Sequence, residues 1–477
     1  MIIQRLPYIL FRDYKDFGYL TDNRNFGYDT AAKSCLKVGD LLLSKIGSVF
    51  YSKLLDTPQE IEDVITQLCE LFPEVQSSVI REDAFEFFQK LYSKGFIYCG
   101  DALDFSTIRS KYFSYNKTRP YELSVSQENN DLTVYENTFG KTPRLTRVHI
   151  DISSRCNERC IHCYIPTSKK CSTMTDEMFY DILHQCIEMN VLSLTISGGE
   201  PMLNPHLNDF LLKSRENNFS VNLLSNLTLL TDDLLDIIAN SPLVSVQTSL
   251  YAMDANVHDT ITGNSGNYQK TLSAIKLLHD KNVPMQINSP IMKQNYHHYK
   301  DVIQFAHSLN IEADSDYSLF GCYDLSMSNL SCRLSIKEIE SIIEEEARIP
   351  KKRANLEDEI KNKRTEPTDQ ICPVCKNSLC ISNTGNVYPC EGWQSLTLGN
   401  LSKHSLKEIW EKAPETNHLR NLTFRNFPQC NACADKKFCN TCLIMNTNES
   451  FNGSYTDIND FQCKIAKLKH DMYQKSK

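Results

Sequence analysis

The sequence predicts an α/β protein with a partial (β/α)6 TIM-like barrel, preceded by a winged-helix-like domain and followed by a cysteine-rich cluster domain. Three observations support this fold class. From Leu145 onward, strand-like segments alternate with amphipathic stretches. The first hundred residues instead place short β-like runs before helical patterns. Finally, twelve of the nineteen cysteines fall into three groups, two of them near the carboxyl terminus.

The amino-terminal part, residues 1–100, is predicted to be a separate winged-helix-like unit of short strands, then helices, then a last strand. Thr57 and Glu60 are predicted to form a capping box for one helix, with Pro58 at its first position. The predicted strands are "YILFRDY", "FGYLTD", "NFGYD" and "FIYC", and the predicted helices are "VGDLLLSKIGSVFYSKLL", "TPQEIEDVITQLCELF" and "REDAFEFFQKLYSKG". The polar segment 101–142 is predicted to be a linker.

Residues 143–330 are predicted to form the barrel. The six strand candidates are "RVHIDI", "VLSLTIS", "FSVNLLS", "LVSVQTSLY", "VPMQINSP" and "IEADSDYS". Because helical stretches such as "TDEMFYDILHQCIEMN" separate them, they predict a parallel sheet with its site at the carboxyl ends of the strands. The charged stretch 331–368 is predicted to be a helical linker to the cysteine-rich domain at 369–477.

Composition limits the classes of partner. At 477 residues, with 41% hydrophobic and 23% charged residues, the chain is long enough for about three globular domains. The net charge of −8 argues against a nucleic-acid partner. The amino terminus lacks a signal-peptide pattern, and no stretch is apolar enough to span a membrane. We therefore expect a cytoplasmic protein with no membrane partner, whose cysteines are reduced.

The cysteines divide into scattered and grouped residues. The scattered ones, interpreted as buried hydrophobes, are Cys35, Cys69, Cys99, Cys171, Cys186, Cys322 and Cys332. The first group, in "CNERCIHCY", consists of Cys156, Cys160 and Cys163 and follows the first barrel strand. Three thiols without a fourth predict an incomplete metal site, since a structural zinc site would be closed by four ligands. A purely structural role for the triplet is the alternative.

The motif "GGEP", Gly198 to Pro201, ends the second barrel strand. Two glycines let the backbone approach a ligand closely, and the acidic residue after them can accept a charged amine. An ordinary tight turn is the alternative. Because the carboxyl ends of neighbouring parallel strands meet at one edge, we expect this motif to lie beside the cysteine triplet.

Together these motifs make the chain resemble a radical S-adenosylmethionine (SAM) enzyme. The resemblance implies a [4Fe–4S] cluster on Cys156, Cys160 and Cys163, with one iron left open for SAM. It also implies that the reduced cluster cleaves SAM to a 5′-deoxyadenosyl radical, which abstracts hydrogen from a substrate. The other SAM-binding residues it implies are His162 near the adenine, Gly198, Gly199, Glu200 and Pro201 at the methionine amine, Ser225 and Asn226 at the ribose, and Ser249 facing the cofactor.

The carboxyl-terminal cysteines resemble the twin-cluster extension called SPASM. The resemblance implies two auxiliary [4Fe–4S] clusters, and so three clusters in all. Cys372, Cys375, Cys390 and Cys442 would hold one, and Cys430, Cys433, Cys439 and Cys463 the other. Cys380 is an additional thiol that could replace Cys372 or Cys375 or be a buried spectator. Two structural zinc sites are the alternative.

The amino-terminal unit resembles the peptide-recognition element of enzymes that mature ribosomally made peptides, where a leader peptide adds a strand to a sheet edge. The leading hypothesis is therefore a leader-dependent peptide maturase that forms a thioether, with a flavodoxin or ferredoxin as electron donor. Alternatives are a carbon–carbon crosslink, a sulfatase-maturing type of oxidation of a protein Cys or Ser, and a noncatalytic metal-binding scaffold. Side chains that could approach the substrate, without a predicted catalytic role, are Tyr164, Tyr251, His258 and Cys322.

Overall fold

The structure is a computed structural model that describes residues 1–22, 38–100, 113–115 and 142–475. The predicted strand "NFGYD", Cys35 and most of the predicted linker 101–142 lie outside the described residues. Within the described part, no helix has both the length and the apolar character needed to cross a membrane.

The amino-terminal unit contains two small antiparallel sheets and three helices. One sheet has the order β5-β1-β6 and the other the order β2-β3-β4. Its strands are β1 (Ile2–Arg5), β2 (Ile9–Asp13), β3 (Phe17–Asp22), β4 (Asp40–Ser44), β5 (Gln59–Glu60) and β6 (Ile97–Gly100), and its helices are α1 (Lys45–Ser52), α2 (Ile61–Leu71) and α3 (Ser77–Ser93).

Two local predictions in this unit are wrong. The stretch Asp40–Ser44 is a strand paired with β3, and the helix begins only at Lys45, where the Ser44 hydroxyl accepts a bond from the Gly47 N–H at 3.1 Å. The capping box at Thr57 does not form, because α2 begins at Ile61 and the preceding β5 pairs with β1. In both places strand pairing outweighs a local helical pattern.

A buried arginine connects the amino-terminal unit to the barrel. The Arg12 guanidinium donates to the Val191 carbonyl at 2.8 and 2.7 Å and to the Asn218 carbonyl at 3.0 Å. The side chain of Asn218 in turn accepts from the Phe11 N–H at 2.8 Å. Burial lowers the pKa of Arg12 to about 10, so the guanidinium remains charged at neutral pH. The two parts are therefore joined by a desolvated polar contact as well as by apolar packing.

The barrel contains the six predicted strands in chain order, all parallel. This confirms the predicted α/β class with a central parallel sheet. The strands are β7 (Arg147–Ser153), β8 (Ser193–Gly198), β9 (Ser220–Leu224), β10 (Val244–Ser249), β11 (Met285–Asn288) and β12 (Glu312–Asp314). The helices are α4 (Asp176–Glu188), α5 (Leu207–Glu216), α6 (Asp232–Asn240), α7 (Ala255–Thr262), α8 (Asn267–Asp280) and α9 (Tyr299–Ser308).

The carboxyl-terminal part continues the same sheet. Strand β13 (Ser378–Ile381) pairs in parallel with β7, and it is followed by β14 (Asn386–Tyr388) and β15 (Gly399–Asn400). The turn between β13 and β14 contains Gly385, whose φ of +77° favours glycine. The remaining helices are α10 (Ile336–Ala347), α11 (Pro350–Asn362), α12 (Leu406–Lys412), α13 (Pro414–Arg420), α14 (Pro428–Ala432), α15 (Leu443–Asn448) and α16 (Asp460–Lys475).

Candidate active site

The cysteine triplet lies on the loop after β7 and faces one cavity of about 390 Å³. This cavity lies at the carboxyl ends of the barrel strands, where parallel α/β sheets place their ligands. The predicted site residues that line it are Cys156, Cys160, His162, Cys163, Gly198, Gly199, Ser225, Asn226 and Ser249. Glu200 and Pro201 do not line it, although they follow directly from the glycines.

Hydrogen bonds to neighbouring loops hold the triplet loop in place. The Arg159 and Ile161 N–H groups donate to the last residues of α7 at 2.9 and 3.0 Å. The Asn157 side chain donates to Thr228 Oγ1 at 2.7 Å and accepts from Asn226 Nδ2 at 2.9 Å. Asn226, predicted to contact a ribose, therefore also orients the loop that carries the thiols.

The two glycines allow β8 and the triplet loop to touch. Gly198 has φ +132°, and a Cβ there would lie 2.0 Å from the Ser153 carbonyl oxygen. A Cβ on Gly199 would lie 2.4 Å from the Arg155 carbonyl oxygen. The Gly199 N–H instead donates to the Ser153 carbonyl at 2.7 Å. Close approach of two backbones therefore requires glycine at both positions.

The carboxylate of Glu200 is buried and accepts three hydrogen bonds. The donors are Ser225 Oγ at 2.7 Å, the Asn226 N–H at 2.9 Å and the Met202 N–H at 3.0 Å. Burial raises the pKa of Glu200, and these hydrogen bonds counteract the rise. Glu200 thus joins the ends of β8 and β9, and its predicted contact with an amine stays a prediction.

The thiols of the triplet are desolvated. Burial raises the pKa of Cys156 to about 11 and that of Cys160 well above its usual range. Glu158 accepts from Cys160 Sγ at 3.2 Å and from Asn267 Nδ2 at 2.8 Å, and burial raises its pKa to about 7. A metal that binds such thiols displaces their protons and holds them as thiolates. Three of them facing one cavity therefore fit a [4Fe–4S] cluster with an open iron.

His162 and Tyr251 form one wall of the cavity. Tyr251 Oη lies 3.4 Å from His162 Nε2, and the two ring centroids are 5.2 Å apart. Burial lowers the pKa of His162 to about 4, so its ring is neutral at physiological pH. Among the described residues, His162 Nδ1 is buried without a hydrogen-bond partner. The ring thus offers a neutral face and an unused polar atom to a ligand.

The remaining candidates lie near the triplet. His258 lines the same cavity, and its Nδ1 accepts from the Tyr251 N–H at 3.3 Å. Tyr164 also lines it and packs on Phe320, with ring centroids 5.1 Å apart. Cys322 lines an adjoining cavity with the three thiols, and its Sγ donates to the Cys163 carbonyl at 3.6 Å. None of these contacts distinguishes a catalytic group.

The second auxiliary set is brought together as predicted. Cys430, Cys433, Cys439 and Cys463 line one cavity of about 380 Å³ between α14, the turn that follows it, and α16. Burial raises the pKa of Cys430 to about 11, and its three neighbouring thiols raise it further. Four sulfurs around one space satisfy the ligand count of a four-iron cluster.

The first auxiliary set also clusters. Burial raises the pKa of Cys442 to about 11, with a further contribution from Cys372, and Cys442 in turn raises the pKa of Cys390. Burial raises the pKa of Cys375 to about 12, against the opposing charge of Arg420. These interactions connect all four predicted ligands through Cys372 and Cys442.

Cys380 faces different neighbours. It lies on β13 opposite His149 of β7, and its Sγ is 3.9 Å from Asp151 Oδ2. The ligand atoms of Cys380, His149 and Asp151 lie within 4.8 Å of one another. The charge of Cys390 also raises the pKa of Cys380, so the assignment of Cys372 and Cys375 as ligands of the first auxiliary set stays a prediction.

His149 and Asp151 were missed by the sequence interpretation. His149 Nε2 and Asp151 Oδ1 are 3.1 Å apart, and Gln394 Nε2 donates to Asp151 Oδ2 at 2.8 Å. Burial by itself would lower the pKa of His149, but the hydrogen bond and charge of Asp151 outweigh it and raise that pKa. Their spacing in "RVHIDI", with polar residues at alternate positions of an apolar strand, was the available signal.

Comparison with known proteins agrees with this geometry. The Radical SAM superfamily profile matches residues 150–306, and SPASM, an iron-sulfur cluster-binding domain, matches residues 372–434. The AdoMet-dependent heme synthase of Methanosarcina barkeri is 24% identical over 324 residues, covering 63% of this chain and 91% of that protein. The PqqA peptide cyclase of Bradyrhizobium diazoefficiens is 24% identical over 298 residues, covering 60% of this chain and 78% of that protein.

Among solved structures, Streptococcus suis SuiB bound to its precursor peptide SuiA aligns with a TM-score of 0.57 at 17% identity. The alignment covers 96% of this chain and 100% of that one, which shows a shared fold. The chain therefore has a radical SAM domain over residues 150–306 and a SPASM domain over residues 372–434, and is a radical S-adenosylmethionine enzyme.

Proposed function

We propose that this enzyme is a leader-dependent peptide maturase that forms a thioether crosslink in a ribosomally made precursor peptide. The observation that carries the proposal is the amino-terminal unit, whose two three-stranded sheets and three helices precede an intact radical SAM site. The alignments to the heme synthase and the PqqA cyclase cover 63% and 60% of this chain, whereas that to the peptide-bound SuiB structure covers 96%.

The residues of the chain supply binding and positioning. Family membership brings a four-iron cluster, SAM and auxiliary iron–sulfur clusters, and the cysteine sets support a total of three clusters. When bound, the cluster and SAM would supply a 5′-deoxyadenosyl radical, and an auxiliary cluster would supply an electron acceptor or a site for a substrate thiolate. Glu200 and the two glycines shape the SAM cavity, and the enclosing strands limit water around the radical.

Strand β4 is the edge at which a leader peptide would dock. In the described order β2-β3-β4, β4 is the last strand, and a strand at the end of a sheet is where an added strand can pair. Leu42 on β4 is 40% exposed, and Ile46, the second residue of α1, is 51% exposed. Backbone pairing with apolar contacts beside it is the usual chemistry of strand addition.

The cysteine triplet, where the radical would form, and the first auxiliary cysteine set are followed in the chain by residues that interact electrostatically. Tyr164 follows the last cysteine of the triplet, and Glu391 follows Cys390 of the first auxiliary set. Burial raises the pKa of Tyr164, and the charges of Asp151 and Glu391 raise it further, so both carboxylates lie within electrostatic range of Tyr164. A peptide in this space can reach both the SAM cavity and the first auxiliary site.

Thioether formation removes two hydrogens from the peptide. One leaves as an atom to the deoxyadenosyl radical, and the thiol hydrogen leaves as a proton together with one electron. A carbon–carbon crosslink has the same balance and is the second candidate, since one relative is named a peptide cyclase. A sulfatase-maturing type of oxidation gives no role to the amino-terminal unit. A noncatalytic scaffold would leave the close backbone contacts of the two glycines at the SAM cavity without a role.

The test is anaerobic reconstitution followed by reaction with SAM, dithionite and a cysteine-containing precursor peptide, sought among the short reading frames that neighbour the gene. We expect about twelve irons per chain, falling to about eight in a C156A/C160A/C163A variant that makes no 5′-deoxyadenosine. The product should be two hydrogens lighter and should lose one cysteine that iodoacetamide can alkylate. A lighter product with every cysteine still alkylatable identifies a carbon–carbon crosslink, and bound zinc without SAM cleavage refutes the enzyme.

Leader docking is tested separately. L42K/I46K should weaken binding of the labelled leader by at least about tenfold, because it places two charges on the β4 surface. The matched control is L277K on barrel helix α8, where Leu277 is 47% exposed. Equal affinities for the two variants would remove β4 as the docking edge.

A further inference from the structure

The second auxiliary cavity lies in a basic part of an acidic chain. The chain has a net charge of −8, yet the residues lining this cavity include Lys436 and no Asp or Glu. Its four cysteines are all partly exposed, whereas Cys375 of the first auxiliary set is fully buried. Of the two auxiliary sites, this one is therefore the better placed for contact with another protein.

The surrounding elements add further positive charge. Lys363 Nζ donates to the Cys439 carbonyl at 2.7 Å, and α16 packs on the neighbouring turn through His470, whose ring stacks on Phe438 at 4.4 Å. We call Lys363, Lys436, Lys437, Lys467 and Lys469 the basic rim. The same segments also contain the basic residues Lys361, Arg364, Arg425 and Lys464 and the acidic residues Glu357, Asp358, Glu359, Glu366, Asp435, Asp460 and Asp471.

Within the basic rim, Lys363 lies 3.9 Å from Glu359, whereas other nearby acids pair with residues outside the rim. Asp435 pairs with His470 at 2.6 Å, and Asp460 pairs with Lys464 at 2.5 Å. Within the part of the chain that the structure describes, Lys437, Lys467 and Lys469 have no carboxylate within 4.0 Å. Concentrated like charge without internal partners produces a positive potential that attracts an acidic surface.

We propose that the basic rim is the docking surface for an acidic one-electron carrier protein of the flavodoxin or ferredoxin class. The inference rests on the proposed function, because it takes the second cysteine cavity as a cluster site. A carrier must approach a redox centre closely but briefly, and complementary charge around a small contact provides fast association without tight binding. The rim provides that charge at the partly exposed cysteine set.

The test measures binding of a fluorescein-labelled flavodoxin to the full-length, iron-loaded protein by anisotropy at about 50 and about 300 mM NaCl. K437E/K467E should weaken Kd at least about tenfold at the lower salt and should show a smaller salt dependence. The matched control is K270E/K276E on α8, where both lysines are exposed on the barrel, and it should stay within about twofold of wild type.

Equal weakening by both double variants, or wild-type binding that salt does not change, would overturn the proposal. Equally tight binding of α-lactalbumin, acidic but without a redox group, would also overturn it, as would tighter binding of a single-stranded oligonucleotide. Failure of the proposed function is separately visible. With dithionite as reductant, an unmodified peptide refutes the maturase while leaving the affinity pattern of the rim unchanged.

Discussion

The glycines at the cavity beside the cysteine triplet allow the energetic cost of backbone strain to be measured separately from the cost of steric clash. Gly198 combines φ +132° with a Cβ position 2.0 Å from a carbonyl oxygen, whereas Gly199 has only the clash, at 2.4 Å. Gly266, before α8, has φ +85° with no atom within 4 Å of its Cβ position. Substitution of each glycine by alanine therefore tests strain, clash and their combination in a single chain.

The expected magnitudes follow from these distances. Gly266→Ala should cost about 1–2 kcal/mol, the usual penalty for a left-handed alanine. Gly199→Ala should cost about 1–3 kcal/mol, because backbone atoms rather than a flexible side chain must move. Gly198→Ala combines both effects and should cost about 2–5 kcal/mol. Moving either backbone at the glycine pair also separates β8 from the triplet loop.

The assay is urea unfolding of the iron-free chain by circular dichroism, followed by SAM affinity of the reconstituted protein. Gly198→Ala and Gly199→Ala should both lower SAM affinity, whereas Gly266→Ala should leave it close to wild type. A Gly199→Ala variant with wild-type stability and SAM affinity would show that the two loops separate freely. It would refute the assigned role of the close contact.

Three further predictions concern single side chains. Glu200→Gln should destabilise the chain by about 1–3 kcal/mol and lower SAM affinity, because an amide cannot accept all three hydrogen bonds; wild-type urea unfolding would contradict this. Asp151 raises the pKa of His149, so protonated His149 stabilises the fold. The free energy of unfolding of wild type should therefore exceed that of His149→Gln by its full amount below about pH 6.5, and the difference should disappear as the pH rises through the raised pKa. Urea midpoints at several pH values measure it, and an advantage that grows toward alkaline pH would refute it. Cys375→Ser should lose about four irons per chain, whereas Cys380→Ser should keep the wild-type count, and the reverse pattern would assign Cys380 as the ligand.

The barrel was predictable because its signals are local. Most of the six strands are short, largely apolar runs bounded by turn residues, as buried parallel strands require, whereas β12 consists of Glu312, Ala313 and Asp314. The triplet and "GGEP" were predictable for a related reason, since metal ligation and close backbone approach restrict residue type and spacing. The structure places these motifs together at one edge of the sheet.

The errors arise where distant pairing decides local structure. Asp40–Ser44 has a helix-compatible sequence but becomes a strand because β3 offers it hydrogen bonds. Likewise, Gln59 and Glu60 pair with β1 instead of capping a helix. The group of His149, Asp151 and Cys380 depends on a contact between β7 and β13, which no local pattern reveals.

The pairing of β13 with β7 also has a consequence for synthesis of the chain on the ribosome. Thr146 and Asn377, which join these strands, are separated by 231 positions. At about 5–20 residues per second, the outer edge of β7 waits roughly 10–50 s for its partner. Throughout that interval the triplet loop is already made, next to an open sheet edge. Iron delivery and protection from aggregation therefore compete for the same exposed segment of the nascent chain.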